Sequence, residues 1–305
     1  MQYGQYPDPS LTIAHLSDPH LLADSKQYGV IDTEAGLALA LERLRRLDPA
    51  PRALVFTGDL ADKAEPAAYD RLRAMVEPAA AEIGAVVVWV MGNHDEREPY
   101  AKALFGEEGD RPQDRVHDVD GLRIVALDTS VPGYHHGDLT DAQLAWLADL
   151  LATPAPRGTV LAMHHPPIPV PMMRPAEIIE LDGQDALAEV VRGTDVRAII
   201  GGHFHFTSWS TFAGIPVSVA SASCYTSDPA PLDRFISGVD GHQAFTMLHL
   251  YDDQVVHTVV PLADAPEVTG FPSDVRAQVE ALSAAERRDI LSRKDSAFYA
   301  SDPGI

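Results

Sequence analysis

Five short clusters of potential metal ligands lie far apart along the chain: Asp18-Pro19-His20, Gly58-Asp59, Gly92-Asn93-His94-Asp95, His164-His165-Pro166 and Gly201-Gly202-His203-Phe204-His205. Imidazole mixed with carboxylate suits Zn²⁺, Mn²⁺ or iron, whereas Mg²⁺ and Ca²⁺ favour oxygen-only shells. In an extended Asp18-Pro19-His20 segment the first and third side chains point the same way, so both can reach one ion. Seven candidate ligands, Asp18, His20, Asp59, Asn93, His164, His203 and His205, are too many for one ion with an open position. They suit two ions that share a carboxylate, and Asp59, the lone carboxylate of its cluster, is the natural bridge. Spacing alone does not say whether His164 or its neighbour His165 binds.

Each cluster follows a β-branched or apolar run, so strands must deliver it. Thr12–Leu16, Ala53–Thr57, Ala85–Met91, Leu122–Leu127, Thr159–Met163 and Val196–Ile200 read as strands. Helices are predicted over Glu34–Leu47, from Pro66 to about residue 81, over the DAQLAWLADLL segment opened by a Thr140/Gln143 capping box, and near Gln184–Val191. This alternation predicts an α/β domain whose ligands converge beyond the carboxyl ends of its strands. From Trp209 the runs TFAGIPVSVAS and FTMLHLYDDQVVHTVVPL predict antiparallel strands completing a second sheet, with a hairpin around Asp252-Asp253-Gln254. After Pro266, Gly270 and Pro272, a second capping box at Ser283 and Glu286 predicts a helical tail. The boundaries expected are a main domain over 1–265 and a C-terminal tail over 266–305.

The chain has 305 residues, is 46% hydrophobic, and carries 23 Lys plus Arg against 45 Asp plus Glu, a formal charge of −22. It can bury a full core, which excludes wholesale disorder. So acidic a surface repels a phosphate backbone and excludes a general nucleic-acid binder. The most apolar window, Ile83–Met91, is far short of the roughly 20 residues a membrane span needs. One cysteine, Cys224, cannot form an internal disulfide, and the N-terminus shows no signal-peptide pattern, so a cytoplasmic location is expected. Phosphate chemistry in such a chain needs a concentrated positive centre. Two divalent ions, offset by Asp18, Asp59 and a bridging hydroxide, leave about +1. Such a pair clamps an in-line phosphoryl displacement and makes hydrolysis of a phosphate ester the chemical expectation.

The set DPH, GD, GNHD, HHP and GHFH resembles, in order and spacing, the calcineurin-like metallophosphoesterase superfamily. More narrowly, VFTGDLADKAEPAAY, VWVMGNHDE, LDTSVPGYHHG, HHPPIP and GIPVSVASASCYT are similar to the CpdA-type, mycobacterial branch of class III cyclic-nucleotide phosphodiesterases. The likeness spans roughly residues 10 to 262. It implies a four-layer α/β/β/α sandwich of two mixed sheets flanked by helices. It places Asp18, His20, Asp59 and His205 on one metal, and Asp59, Asn93, His164 and His203 on the other. The implied pair is iron and manganese, with zinc or other divalent ions as substitutes, and His165 falls behind the ligands.

The same resemblance implies that His94 faces the phosphate and protonates the leaving oxygen, with Asp95 fixing its tautomer. Asn93, His94, His135 and His136 are the expected substrate contacts. His15 is expected in the core, and Asp62 and Lys63 are expected to fix their loop. The implied substrate is a small cyclic nucleotide, 3′,5′-cyclic AMP opened to 5′-AMP. Alternatives are 2′,3′-cyclic nucleotides, small diesters in general, a phosphomonoester, or a non-catalytic interaction scaffold. A homo-oligomer is expected, and Val275, Val279 and Leu282 recur at helical spacing in the tail.

Overall fold

The computed structural model describes residues 3–263 and 265–296; the expectation for 297–305 of the tail lies outside the described residues. The chain divides into a large compact unit spanning 10–263 and a small one in which residues 3–9 group with the tail.

In the large unit, β1 (Leu11–Leu16), β2 (Ala53–Thr57) and β3 (Val86–Val90) pair in parallel. Three helices punctuate them: α1 (Thr33–Arg45), α2 (Pro66–Ile83) and α3 (Arg97–Phe105). Asp32 caps α1 through its carboxylate, and Gly84, in the left-handed region, ends α2. A second sheet starts with β4 (Arg115–Val119) antiparallel to β5 (Leu122–Leu127). It continues in parallel through β6 (Thr159–Met163), β7 (Val196–Gly201) and β9 (Ile215–Val219), with β8 (Ser208–Phe212) antiparallel at the edge. Helices α4 (Asp141–Leu151) and α5 (Gln184–Val191) serve this sheet, and α4 opens with the Thr140/Gln143 capping box. Two short strands, β10 (Thr226–Ser227) and β11 (Gly238–Val239), form a separate ribbon.

The hairpin of β12 (Ala244–Leu250) and β13 (Val255–Pro261) corrects one expectation. It does not complete the second sheet: β12 pairs antiparallel with β1, giving the first sheet the order β13-β12-β1-β2-β3. Alternation along the strands makes the layers. Ile13, Val55 and Val88 join Ile124, Val160 and Ala198 in a core between the sheets. Their neighbours Ala14, Leu54 and Phe56 face the other way, onto Leu37, Leu41, Leu72 and Val76 of α1 and α2. Val125 and Leu161 pack likewise on Leu147 and Leu187 of α4 and α5. Both faces of each central strand are buried, as a four-layer α/β/β/α sandwich requires.

The tail unit holds α6 (Asp274–Glu280) and α7 (Ala284–Ser292), the latter with the Ser283/Glu286 capping box. No residue of either helix is buried, and Val275, Val279 and Leu282 are half-buried. Among the described residues no helix is long and apolar enough to cross a membrane.

Candidate metal centre

The five clusters leave the carboxyl ends of β1, β2 and β3 in one sheet and β6 and β7 in the other, and they meet. The ligand atoms of Asp18, His20, Asp59 and His205 all lie within 4.8 Å of one another, on four buried side chains. On the other side, His164 Nε2 is 3.0 Å from Asn93 Oδ1, and the His164 and His203 rings are 5.0 Å apart. Asp59 stands between the groups, its Oδ2 3.3 Å from His20 Nε2 and 3.4 Å from His164 Nε2.

The backbone bends sharply to achieve this, so the Asp18-Pro19-His20 segment is not the extended one expected. Asp18, His20, Asp59, His203 and His205 all have positive φ, between 45° and 72°, a region non-glycine residues seldom enter. Local bonds fix the turns: His20 N–H donates to the Asp59 carbonyl at 2.9 Å, and His203 N–H to the Asp18 carboxylate at 3.2 Å. Glycine at 202 is a spatial requirement, because a Cβ there would come within 1.8 Å of Ser17 Oγ and 2.6 Å of Asp18 Oδ2.

The outward nitrogens of the four histidines test whether the set suits metal. His20 Nδ1 meets the Asp62 carboxylate at 2.9 Å, His164 Nδ1 the Thr57 carbonyl at 2.7 Å, and His205 Nδ1 the Tyr225 carbonyl at 3.0 Å. His203 is held by its other nitrogen, Nε2, on the Ile179 carbonyl at 2.8 Å. These partners only accept, so each outer nitrogen carries a hydrogen and the inner one is left to bind either a proton or a cation. His20 Nε2 and His205 Nε2 face one another at 3.2 Å beside two carboxylates. Inner nitrogens so gathered fit a shared cation, and the oriented N–H groups are the usual outer support of metal-binding histidines.

The electrostatics agree. Burial opposes charge on every one of these groups. For His205, Cys224 and Asp18 outweigh burial and raise it to about 10; for His164, Asp59 does so and raises it to about 9. His20 is likewise pushed well above its ordinary value by Cys224, Asp59 and Asp62. Against the same burial, His205 and His164 hold the Asp18 carboxyl down at about 2, and His164 and His20 hold Asp59 well below the carboxylate range. His203 differs, since burial and His164 depress it to about 3, so the side formed by Asp18, His20, Asp59 and His205 is the one that attracts positive charge.

Two expectations, those for Asp95 and His136, are placed differently, while His135 and His165 lie as expected. Asp95 does not touch His94: its buried carboxylate accepts from Leu60 N–H, Ala61 N–H, Gly92 N–H and the Tyr69 hydroxyl at 2.8–3.1 Å, and so ties down the loop after β2. The His94 ring is instead held at Nδ1 by the Asp62 carbonyl, 2.9 Å away. His135 lines a cavity of about 180 Å³ over the centre, with its Nδ1 2.8 Å from Asn93 Nδ2 and its ring 5.3 Å from that of His94. His136 is not in that lining; its ring packs against Tyr134, 5.2 Å away, with Asp182 at 4.0 Å. His165 turns away to Thr129 Oγ1 at 2.7 Å and the His135 carbonyl at 3.1 Å.

Residues 11–206 match the sequence profile of the calcineurin-like phosphoesterases. The chain belongs to this family. It is 49% identical over 302 residues, covering 98% of this chain and 94% of the relative, to the cAMP/cGMP dual specificity phosphodiesterase of Mycobacterium tuberculosis. It is 30% identical, over 84% of this chain and 92% of the relative, to the 3′,5′-cyclic adenosine monophosphate phosphodiesterase CpdA of Pseudomonas aeruginosa. Among solved structures, a dimetal phosphatase from Danio rerio superposes with a TM-score of 0.60 at 18% identity, over 84% of this chain and 98% of that one. That likeness shows the shared fold of this phosphoesterase.

Proposed function

We propose that the unit spanning 10–263 hydrolyses 3′,5′-cyclic nucleotides, opening cyclic AMP to 5′-AMP. The observation that carries the substrate is the near full-length 49% identity to a cAMP/cGMP phosphodiesterase; the chemistry rests on the histidine and carboxylate cluster around Asp59. Asp18, His20, Asp59 and His205 would hold one ion, and Asp59, Asn93, His164 and His203 the other. Iron and manganese are the proposed pair, with zinc or another divalent ion as substitute. When bound, the two ions supply Lewis acidity for the phosphate oxygens and activate water as a nucleophile near neutral pH.

The chain's own residues orient and protonate. The Asp62 carbonyl keeps the hydrogen on His94 Nδ1, which leaves Nε2 as the nitrogen that meets the ester. When His94 is doubly protonated, its Nε2 proton passes to the ribose 3′-oxygen as water adds to phosphorus, the P–O3′ bond breaks and the water's own proton leaves to solvent. Asn93 and His135, bonded to each other at the cavity wall, border the phosphate. Turnover of 3′,5′-cyclic AMP, 2′,3′-cyclic AMP and p-nitrophenyl phosphate by the Mn²⁺-loaded protein tests this. The 3′,5′ diester is the expected best substrate, and cleavage of the monoester alone overturns the reading.

We further propose a cytoplasmic homo-oligomer in which the tail, residues 266–305, makes contacts between copies through Val275, Val279 and Leu282. The buried, unbridged Cys224 accords with a reducing compartment. Deleting 272–305 should lower the mass measured by light scattering; an unchanged monomer before and after removes the idea.

A further inference from the structure

Beside the metal centre lies a second hollow of about 420 Å³, lined by Tyr28, Val30, Ile236 and Val239, that shares Tyr225, Ser227 and Ile236 with the cavity over the metals. Large apolar groups stand open around it: Tyr28 is 74% exposed, Val30 69% and Ile236 55%. Such a cluster on an otherwise very acidic protein calls for an apolar occupant.

Both walls are registered to the metal ligands. Tyr28 sits at the tip of a tight turn closed by Gln27 and Ile31, with a left-handed φ of 52°. The buried Gln27 side chain ties that turn to Asp62, 2.9 Å away, and Asp62 in turn holds His20. Opposite, the Tyr225 carbonyl orients His205 while its ring packs 4.5 Å from the His205 ring. The Tyr28 ring meets that of Tyr225 edge to face at 5.4 Å, with the two hydroxyls 3.2 Å apart. Gly238 packs under Tyr225, where a Cβ would come within 2.8 Å of its ring.

We propose that this hollow is the nucleobase subsite, with Tyr28 and Ile236 clasping the base while Tyr225 spans the step from base to phosphate. A nucleotide has the matching layout, an anionic phosphate joined through a short ribose to a flat, largely apolar ring. Stacking needs only a π-face, so the subsite holds purines of either kind and sets KM more than kcat. The inference rests on the nucleotide reading above.

Tyr28→Ala tests it, and the exposure of Tyr28 means little packing is lost. The variant should raise KM for cyclic AMP and Ki for 5′-AMP roughly 5- to 150-fold, the range of one base–aromatic stack. Inhibition by orthophosphate, which has no base, should stay within about twofold. Ile236→Ala should act in the same direction by a smaller factor. Equal weakening of 5′-AMP and orthophosphate, or no change in either, overturns the subsite. Should the unaltered protein fail to hydrolyse cyclic AMP, the functional reading falls instead, and the ratio of 5′-AMP to orthophosphate binding still judges the pocket.

Discussion

Asp62 is the residue through which the geometry can be tested most sharply, because its carboxylate serves chiefly His20 and Gln27, with His94 Nδ1 farther off at 3.8 Å, while its main chain holds His94. The carboxylate accepts from His20 Nδ1 at 2.9 Å and from Gln27 Nε2 at 2.9 Å, while the carbonyl holds His94. Burial opposes the Asp62 charge, yet His20 keeps the carboxyl below its ordinary range. Asp62→Ala removes the His20 partner and strands a buried N–H, a loss of about 1–3 kcal/mol. Loss of an outer partner of a ligating histidine costs in addition roughly 10- to 100-fold in metal affinity, about 1.4–2.7 kcal/mol. Calorimetric titration of the metal-free protein with Mn²⁺ should show that weakening. At saturating Mn²⁺, turnover should return to within a few-fold of the unaltered enzyme, since the carbonyl that holds His94 survives. Asp62→Asn, which keeps an acceptor but no charge, should fall between. Unchanged Mn²⁺ affinity with collapsed turnover would refute the reasoning, because the carboxylate would then act on substrate rather than through His20.

Asp59→Ala should abolish hydrolysis and lower the number of Mn²⁺ ions bound per chain, which calorimetry and elemental analysis report together; retention of both ions would contradict the shared carboxylate. His94→Gln should leave metal content intact and cut turnover of cyclic AMP by about 10²–10⁴-fold, with much smaller losses for a diester of good leaving group. Equal losses for both would reject proton donation by His94. Away from the site, burial and neighbouring His257 depress His15 to about 3 from its ordinary 6.5. Below pH 6.5 the unfolded chain gains a proton that the folded chain refuses, so stability is full above 6.5 and falls as pH drops towards 3. The slope is about 1.4 kcal/mol per pH unit, so roughly 2 kcal/mol goes between pH 6.5 and 5. Urea melts of a His15→Leu variant at those two pH values should show that much less acid sensitivity.

Much of this architecture is legible in the residues, and the exceptions have causes. Strands β2, β5 and β6 and helices α4 and α5 fall within their predicted limits because continuous apolar runs mark the strands and a capping box marks the start of α4. Helix α3 gives a weaker signal, with Pro99 in its first turn and only Tyr100 and Ala101 buried. Strand β4 is an edge strand whose alternate residues face solvent. Which sheet takes the β12–β13 hairpin is a long-range matter, decided by Leu11 pairing with Leu250 across the whole chain, and periodicity carries no trace of it. At the site, motif residues are visible because each leaves a strand in a recognisable cluster. Their supports at Thr57, Ile179 and Tyr225 are main-chain carbonyls, which any residue supplies, so side-chain type cannot reveal them. The misplaced role of Asp95 shows the same limit: adjacent side chains diverge, and Asp95 turns beneath the loop while His94 faces the cavity.

The cost of holding the ligand loops explains why the supports matter as much as the ligands. Five positions with φ between 45° and 72° sit where a non-glycine backbone pays of order 1–3 kcal/mol each. Summed, that strain rivals the whole stability of a typical domain, so independent constraints must hold every turn. The structure supplies them in pairs: the turn of Asp18 leans on Gly58 and that of His20 on Asp59, while the Asp18 carboxylate catches the His203 amide and the Asp59 carboxylate the His94 amide. Each carboxylate thus faces the centre and braces a neighbouring loop from the other sheet or strand. A substitution at Asp18 or Asp59 therefore releases a strained turn as well as a ligand, and conservative amides, which keep one acceptor, should preserve the loop better than alanine while still lowering affinity for a cation.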